Sequence, residues 1–249
     1  MKRRWTDKEV ELLKEMAHKG YQDKEIAEKL SRTKKSISSK RYKENIEQHK
    51  FNENIFNNWS KKNSWLLGLI TADGTFNRNN VTLYNTDKEM LKEFKKILGT
   101  QNKISEHITN RLGNKKVWRT GVSSENFIKD LKALNAHGDK DQRNPFPLVP
   151  DIYKWSFIKG LFDGDGNIYK GIISIAGRMP MIKFVYYWIC QQIDKKPNKI
   201  YQSSNSDKTY YFQISPGDAI EVVDYIRLNA EGTYNSKKIK EVLDYYENP

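Results

Sequence analysis

Two carboxylates in matching surroundings are the residues most able to do chemistry. LLGLITADG (Leu66–Gly74) and IKGLFDGDG (Ile158–Gly166) are apolar phrases with small residues inside them, and both end on Asp-Gly. Their aspartates, Asp73 and Asp165, stand 92 positions apart. Gly68 and Ala72 are four apart, as are Gly160 and Gly164, so each pair shares one face of a helix. Small residues at that spacing let two helix backbones approach closely. The pattern predicts two parallel helices packed together, with both aspartates at their C-terminal ends. The helix dipole disfavours negative charge there by roughly 0.3–1 kcal/mol. Two carboxylates about 4 Å apart would add repulsion on the order of 4 kcal/mol at an effective dielectric of 20. Hard divalent cations remove that cost. Carboxylate and carbonyl oxygens suit Mg²⁺, which keeps several waters and takes phosphate oxygens as further ligands. The pair therefore points to metal-assisted phosphodiester hydrolysis.

Other chemistries fit less well. Asp-Gly is a common turn signal, and Gly74 and Gly166 are expected to end their helices. DGDGN, from Asp163, begins like a calcium loop, but its sixth position is Ile168 rather than Gly and its twelfth is Ser174 rather than Glu. The four histidines, His18, His49, His107 and His137, are scattered and form no metal pattern. The single cysteine, Cys190, excludes an internal disulfide framework and a cysteine-rich zinc site. No apolar run approaches the roughly 18 residues of a membrane span, and MKRRW leads straight into charged sequence, so an intracellular setting is expected.

The elements around the acids repeat as well. SWLLGLITADGTF parallels SFIKGLFDGDGNI, and the strand-like NVTLYN and GIISIA follow. Helical DKEMLKEFKKILG and MIKFVYYWICQQID come next, then NKI at Asn102 and Asn198, opening hairpins that turn near Leu112–Lys115 and Asn205–Lys208. LNA closes each unit, at Leu134 and Leu228. This is a duplicated α+β unit in one chain, with Pro145, Pro147 and Pro150 at the junction. Expected boundaries are 64–150 and 151–249, preceded by an Asn-rich linker over 45–63 in which Phe56 and Trp59 anchor the far end.

Residues 1–44 read as three short helices. Thr6 and Glu9 have capping-box spacing, Val10, Leu13 and Ala17 form one apolar face, and Gly20 ends the first helix. Ile26, Ala27 and Leu30 mark the second, and the third starts near Thr33 with Ile37 inward. SRTKKSISSKRYK, Ser31 to Lys43, holds six basic residues and no acid. Arg32, Lys34, Lys35, Lys40 and Arg41 are its candidate DNA contacts, as in a recognition helix. The module resembles Myb-like and helix-turn-helix domains. The formal charge of +13 also points to a polyanionic partner, and residues 1–50, with 15 basic and 9 acidic side chains, contribute +6 of it.

From about Ile55 onward, the two phrases and their flanks resemble the LAGLIDADG homing endonucleases in their double-motif, single-chain form. The resemblance implies two pseudo-twofold related αββαββα halves whose sheets form a saddle over duplex DNA. Asp73 and Asp165 would each bind a divalent metal and serve one strand, with main-chain carbonyls from Ala72 and Gly164. It implies Mg²⁺ or Mn²⁺ as cofactor, with Ca²⁺ able to bind without supporting cleavage. A basic residue late in each half, Lys140 and either Lys237 or Lys238, would lie near the scissile phosphate. One position departs from the motif: Thr71 stands where the second copy keeps Asp163. On the hairpins, Arg78, Lys116, Arg119, Arg178 and Lys208 are candidate DNA contacts. The halves differ, so an asymmetric duplex target and a monomeric protein follow. The rival readings are a non-cutting LAGLIDADG-derived DNA-binding regulator and an intron RNA maturase.

Overall fold

The computed structural model describes all residues except 1–2, 19–20, 22, 47–50, 110–114, 137–145, 205, 231, 235 and 248–249. The chain begins with three helices: α1 (Asp7–His18), α2 (Asp23–Leu30) and α3 (Lys34–Lys43). Thr6 and Glu9 cap α1 reciprocally: the Glu9 amide donates to Thr6 Oγ1 at 3.3 Å, and the Thr6 amide to Glu9 Oε2 at 3.0 Å. Thr33 caps α3 through the Ser36 amide. These helices bury their own apolar cluster, including Leu13, Ala17, Ile26 and Ile37. Gly20 lies outside the described residues.

The chain then enters a second, larger core earlier than a linker over 45–63 implies. Phe51, Ile55 and Phe56 are already buried in it, Ser60 caps the next helix, and α4 begins at Lys61. The stretch turns inward because Phe51 and Phe56 both pack against the Phe127 ring.

Each half has the order helix–strand–strand–helix–strand–strand–helix. The first comprises α4 (Lys61–Asp73), β1 (Gly74–Asn77), β2 (Asn80–Asn85), α5 (Lys88–Leu98), β3 (Ser105–Thr109), β4 (Lys115–Ser123) and α6 (Glu125–Ala133). The second comprises α7 (Lys154–Asp165), β5 (Gly166–Tyr169), β6 (Ile172–Gly177), α8 (Met179–Gln192), β7 (Ile200–Gln202), β8 (Tyr210–Ile214) and α9 (Pro216–Asn229). A further helix, α10 (Lys237–Glu247), had no counterpart in the repeat. Both sheets are antiparallel with matching order, β1-β2-β4-β3 and β5-β6-β8-β7. Gly74 and Gly166 end the motif helices as expected, but they do so by starting strands, with φ/ψ of −69°/124° and −77°/152°.

Register sorts the strand side chains into two faces. Val81, Leu83, Val122, Ile173, Ile175, Phe212 and Ile214 point into the core. On the opposite face of the first sheet, Thr75 stands against Thr82, Tyr84 against Arg119, and Arg119 against Ser105. In the second sheet, Asn167 stands against Ser174, Ser174 against Gln213, and Tyr211 against Tyr201. Period-two alternation has thus left each sheet one polar, open face.

Candidate active site

The two motif helices meet at their glycines. A Cβ built on Gly68 would lie 2.1 Å from the Phe157 carbonyl oxygen, and one on Gly160 would lie 2.1 Å from that of Trp65. No side chain fits at either position. Four residues on, a Cβ on Gly164 would lie 2.5 Å from Ala72 Cβ and 3.3 Å from Asp73 Cγ. Gly68 against Gly160 followed by Ala72 against Gly164 means that the helices run side by side in the same direction. Their C-terminal ends therefore deliver Asp73 and Asp165 to one place, both half-buried.

The two acids are held differently. Asn85, at the end of β2, donates from Nδ2 to Asp73 Oδ2 at 2.7 Å. The corresponding position in the second half is Gly177, which has no side chain to offer. There Asp165 lines a small cavity with Thr71, Ala176 and Arg178. Lys238 Nζ donates to three carbonyls at the end of α7: Phe162 at 2.9 Å, Asp163 at 2.8 Å and Gly164 at 3.3 Å. Burial pushes the Lys238 ammonium below its ordinary pKa, while the carboxylates of Asp163, Asp73 and Asp165 pull the other way.

Beneath the second acid lies a buried network that the sequence reading did not anticipate. Asp163 Oδ2 accepts from Trp65 Nε1 at 2.7 Å across the helix seam and from Lys159 Nζ at 2.6 Å. Lys159 also donates to the Tyr234 carbonyl, and burial lowers its pKa against the pull of Asp163. The Tyr234 hydroxyl donates to Asp87 Oδ2 at 2.7 Å, and burial raises its pKa well above the usual tyrosine range. In the first half, Thr71 instead donates to the Leu67 carbonyl at 2.7 Å. The signal was present: a lone lysine inside an apolar helix, four residues before an aspartate.

The predicted basic residues divide sharply. Arg119 lies exposed on the open face of the first sheet, and Arg78 sits exposed in the β1–β2 turn with φ 47°. Lys208 is exposed in the β7–β8 turn. Lys116 is on the other side of β4, ion-paired with Glu106 and near the Trp118 ring. Arg178 is the residue before α8, with its Nε buried beside the Asp165 cavity, not on the open face. Lys237 is exposed and lines a cleft with Asn85, Asp87, Gly164, Lys238 and Glu241. Lys140 lies outside the described residues.

In the N-terminal helices, Lys34 and Lys35 are exposed. Arg32 is not available as a DNA contact: its guanidinium sits 4.0 Å from the Trp5 ring, pairs with Glu9 at 2.9 Å, and donates to the Arg3 and Arg4 carbonyls. Arg41 pairs with Asp23 at 2.9 Å and Lys40 with Glu44 at 2.6 Å. Internal acids have claimed these three.

Two carboxylates and backbone oxygens at the seam fit a hard cation that keeps waters and takes phosphate oxygens. They do not form a closed protein cage, and among the described residues no group of three or more His, Cys, Asp or Glu could hold a metal ion. The Gly164 carbonyl, an expected ligand, is already engaged by Lys238.

Parallel motif helices joined at glycines, each leading into a four-stranded antiparallel sheet, define the fold of the LAGLIDADG homing endonucleases. Residues 60–134 match the family model described as LAGLIDADG-like domain, which spans α4 to the end of α6. I-SmaMI bound to uncleaved DNA target in the presence of calcium ions superposes with a TM-score of 0.51 at 12% identity, over 74% of this chain and 89% of that one. I-DmoI in complex with DNA and calcium gives 0.49 at 17% identity, over 73% and 96%. Full-length DUF199/WhiA from Thermatoga maritima gives 0.47 at 13% identity, over 79% and 64%. No curated protein sequence matches the chain. Among the described residues, no helix is long and apolar enough to cross a membrane.

Proposed function

We propose that the protein is a site-specific, divalent-metal-dependent DNA endonuclease acting on a long, asymmetric duplex target. The observation that carries this reading is the glycine seam, which brings Asp73 and Asp165 together between two open polar sheet faces in a chain of net charge +13. The DNA and calcium in the I-SmaMI structure support it by likeness of fold.

Asp73 and Asp165 would hold the metal ions, Mg²⁺ or Mn²⁺, each acid serving one strand. Bound there, such an ion polarises the phosphate and makes water a better nucleophile. Asn85 fixes the orientation of the Asp73 carboxylate. Lys238 fixes the end of α7 by meeting its last carbonyls, those of Asp163 and Gly164 together with that of Phe162, which also accepts from the Gly166 amide. That makes it a positioning residue and leaves exposed Lys237 to meet phosphate charge. Thr75, Thr82, Tyr84 and Arg119 on one sheet, and Asn167, Ser174, Tyr201, Tyr211 and Gln213 on the other, would face base edges. The strands of the second sheet carry no Lys or Arg, so that half would read its bases through neutral polar and aromatic groups.

A second reading, binding without cutting, has one observation in its favour: Lys238 already occupies the Gly164 carbonyl. Cleavage of a randomised duplex library with Mg²⁺ separates the two. Wild type is expected to cut both strands at a defined site, and Asp73→Asn and Asp165→Asn each to leave a nick in opposite strands. Selective binding with no cleavage by wild type would establish the second reading instead.

A further inference from the structure

Tyr234 stands between α9 and α10, in the second half, yet its hydroxyl reaches the first. It donates to Asp87 Oδ2 at 2.7 Å, across 147 positions of sequence. Burial, helped by that carboxylate, raises its pKa well above the usual tyrosine range, so the hydroxyl keeps its proton and remains a donor. The other Asp87 oxygen, Oδ1, accepts from the Glu89 amide at 2.9 Å and caps α5. With both oxygens engaged the Asp87 main chain is held in place, and its amide donates to Asn85 Oδ1 at 2.7 Å. That bond decides which way the Asn85 carboxamide turns. Its oxygen faces the Asp87 amide, so its nitrogen faces Asp73 Oδ2, again at 2.7 Å. Three side chains and one amide thus form a chain of donors and acceptors that ends on the first motif's carboxylate.

The far end is anchored as well. Lys159 Nζ donates both to the Tyr234 carbonyl and to Asp163. It lies 5.8 Å from the Tyr234 ring and 5.9 Å from the Trp65 ring. Those two rings pack with centroids 5.9 Å apart. The buried ion pair therefore pins the tyrosine against the helix seam. The second acid has no equivalent arrangement. At the offset of 92, Asn85 corresponds to Gly177 and Asp87 to Met179, which offer neither carboxamide nor carboxylate.

We propose that Tyr234 is a positioning residue for Asp73: through Asp87 and Asn85 it holds that carboxylate in the orientation that takes the divalent ion. A segment of the second half then governs cutting of the strand that the first half's acid serves. This rests on the reading of the chain as an endonuclease. It adds that the two acids depend on different parts of the molecule, so one cut is lost without the other by changes outside the motif helices.

The test uses the full chain and a duplex selected with the wild type. Tyr234→Phe removes only the hydroxyl. Asp87→Ser is the second variant, because serine still caps α5 but is too short to meet Tyr234. With Mg²⁺, both variants are expected to cut the strand that Asp73→Asn leaves intact about 10–100-fold more slowly, the usual loss when a partner of a metal ligand is removed. The opposite strand should be cut at the wild-type rate, so that nicked duplex accumulates. A second readout needs neither metal nor DNA: solvent exchange of the Asn85 side-chain amide protons, assigned by their absence in Asn85→Ser. Exchange is expected to be slow in wild type and faster in both variants. Equal slowing of both strands, as a general loosening of the fold would give, would overturn the proposal. So would wild-type cutting of the Asp73 strand, or Asn85 exchange that neither variant alters. If the wild type cuts neither strand, the endonuclease reading falls, and amide exchange alone decides whether Tyr234 holds Asn85 against Asp73.

Discussion

Lys159 and Asp163 form an ion pair with side chains 7% and 0% exposed, deep inside the second motif helix. Removing one partner of such a pair strands the other charge. Lys159→Met is therefore expected to cost about 3–5 kcal/mol, read as a lower urea midpoint. Adding Asp163→Asn, which keeps an acceptor for Trp65 but removes the charge, should recover most of that loss. At this scale the sequence was a partial guide. The glycine contacts and the placement of Asp73 and Asp165 at the helix ends were legible because they follow from local spacing. The partners of Arg32 and Lys238 were not legible because they are distant, Glu9 across 23 positions and the Gly164 carbonyl across 74. A basic side chain advertises its charge in the sequence but not the acid or carbonyl that will claim it.

The motif helices allow no side chain between them at Gly68 and Gly160. Gly68→Ala or Gly160→Ala drives a methyl into a facing carbonyl. Each is expected to destabilise by about 3 kcal/mol or more, the upper part of the overpacking range, and to impair cutting of both strands together. The N-terminal helices offer a pH test. Glu9 is held at about 2, below its usual 4.5, chiefly by its bond to Arg32 and then by the Thr6 amide. The folded carboxylate thus resists protonation more than the unfolded one. Its stabilising effect is complete above about pH 4.5 and disappears as pH falls towards 2. An acid titration followed by the Trp5 indole resonance should show loosening in that window, and Glu9→Gln should abolish the dependence. The repeat made most elements readable, β2, β6 and the paired helices especially. β1 and β5 were not, because four residues starting at a glycine look like a turn until β2 or β6 supplies their hydrogen bonds. Among the described residues α10 has no sibling in the first half, and the repeat gave no hint of it.

Across the whole molecule, basic charge lies both in the N-terminal helices and in the duplicated body. Binding should therefore be strongly salt-dependent. If the chain meets 6–10 phosphates, affinity should fall by roughly 10³–10⁵ between 50 and 200 mM salt. A flat salt profile would count against a polyanionic partner. The single-chain seam has a further consequence. At the offset of 92, Trp65 corresponds to Phe157, Leu67 to Lys159 and Thr71 to Asp163. Two first halves facing each other would set neutral threonine and leucine around each indole, with no buried charge to satisfy. Two second halves would bury two lysine–aspartate pairs and supply phenylalanine where Asp163 needs an indole donor. The duplicates are no longer interchangeable parts: the first still has the makings of a self-pairing subunit, while the second has come to depend on its neighbour.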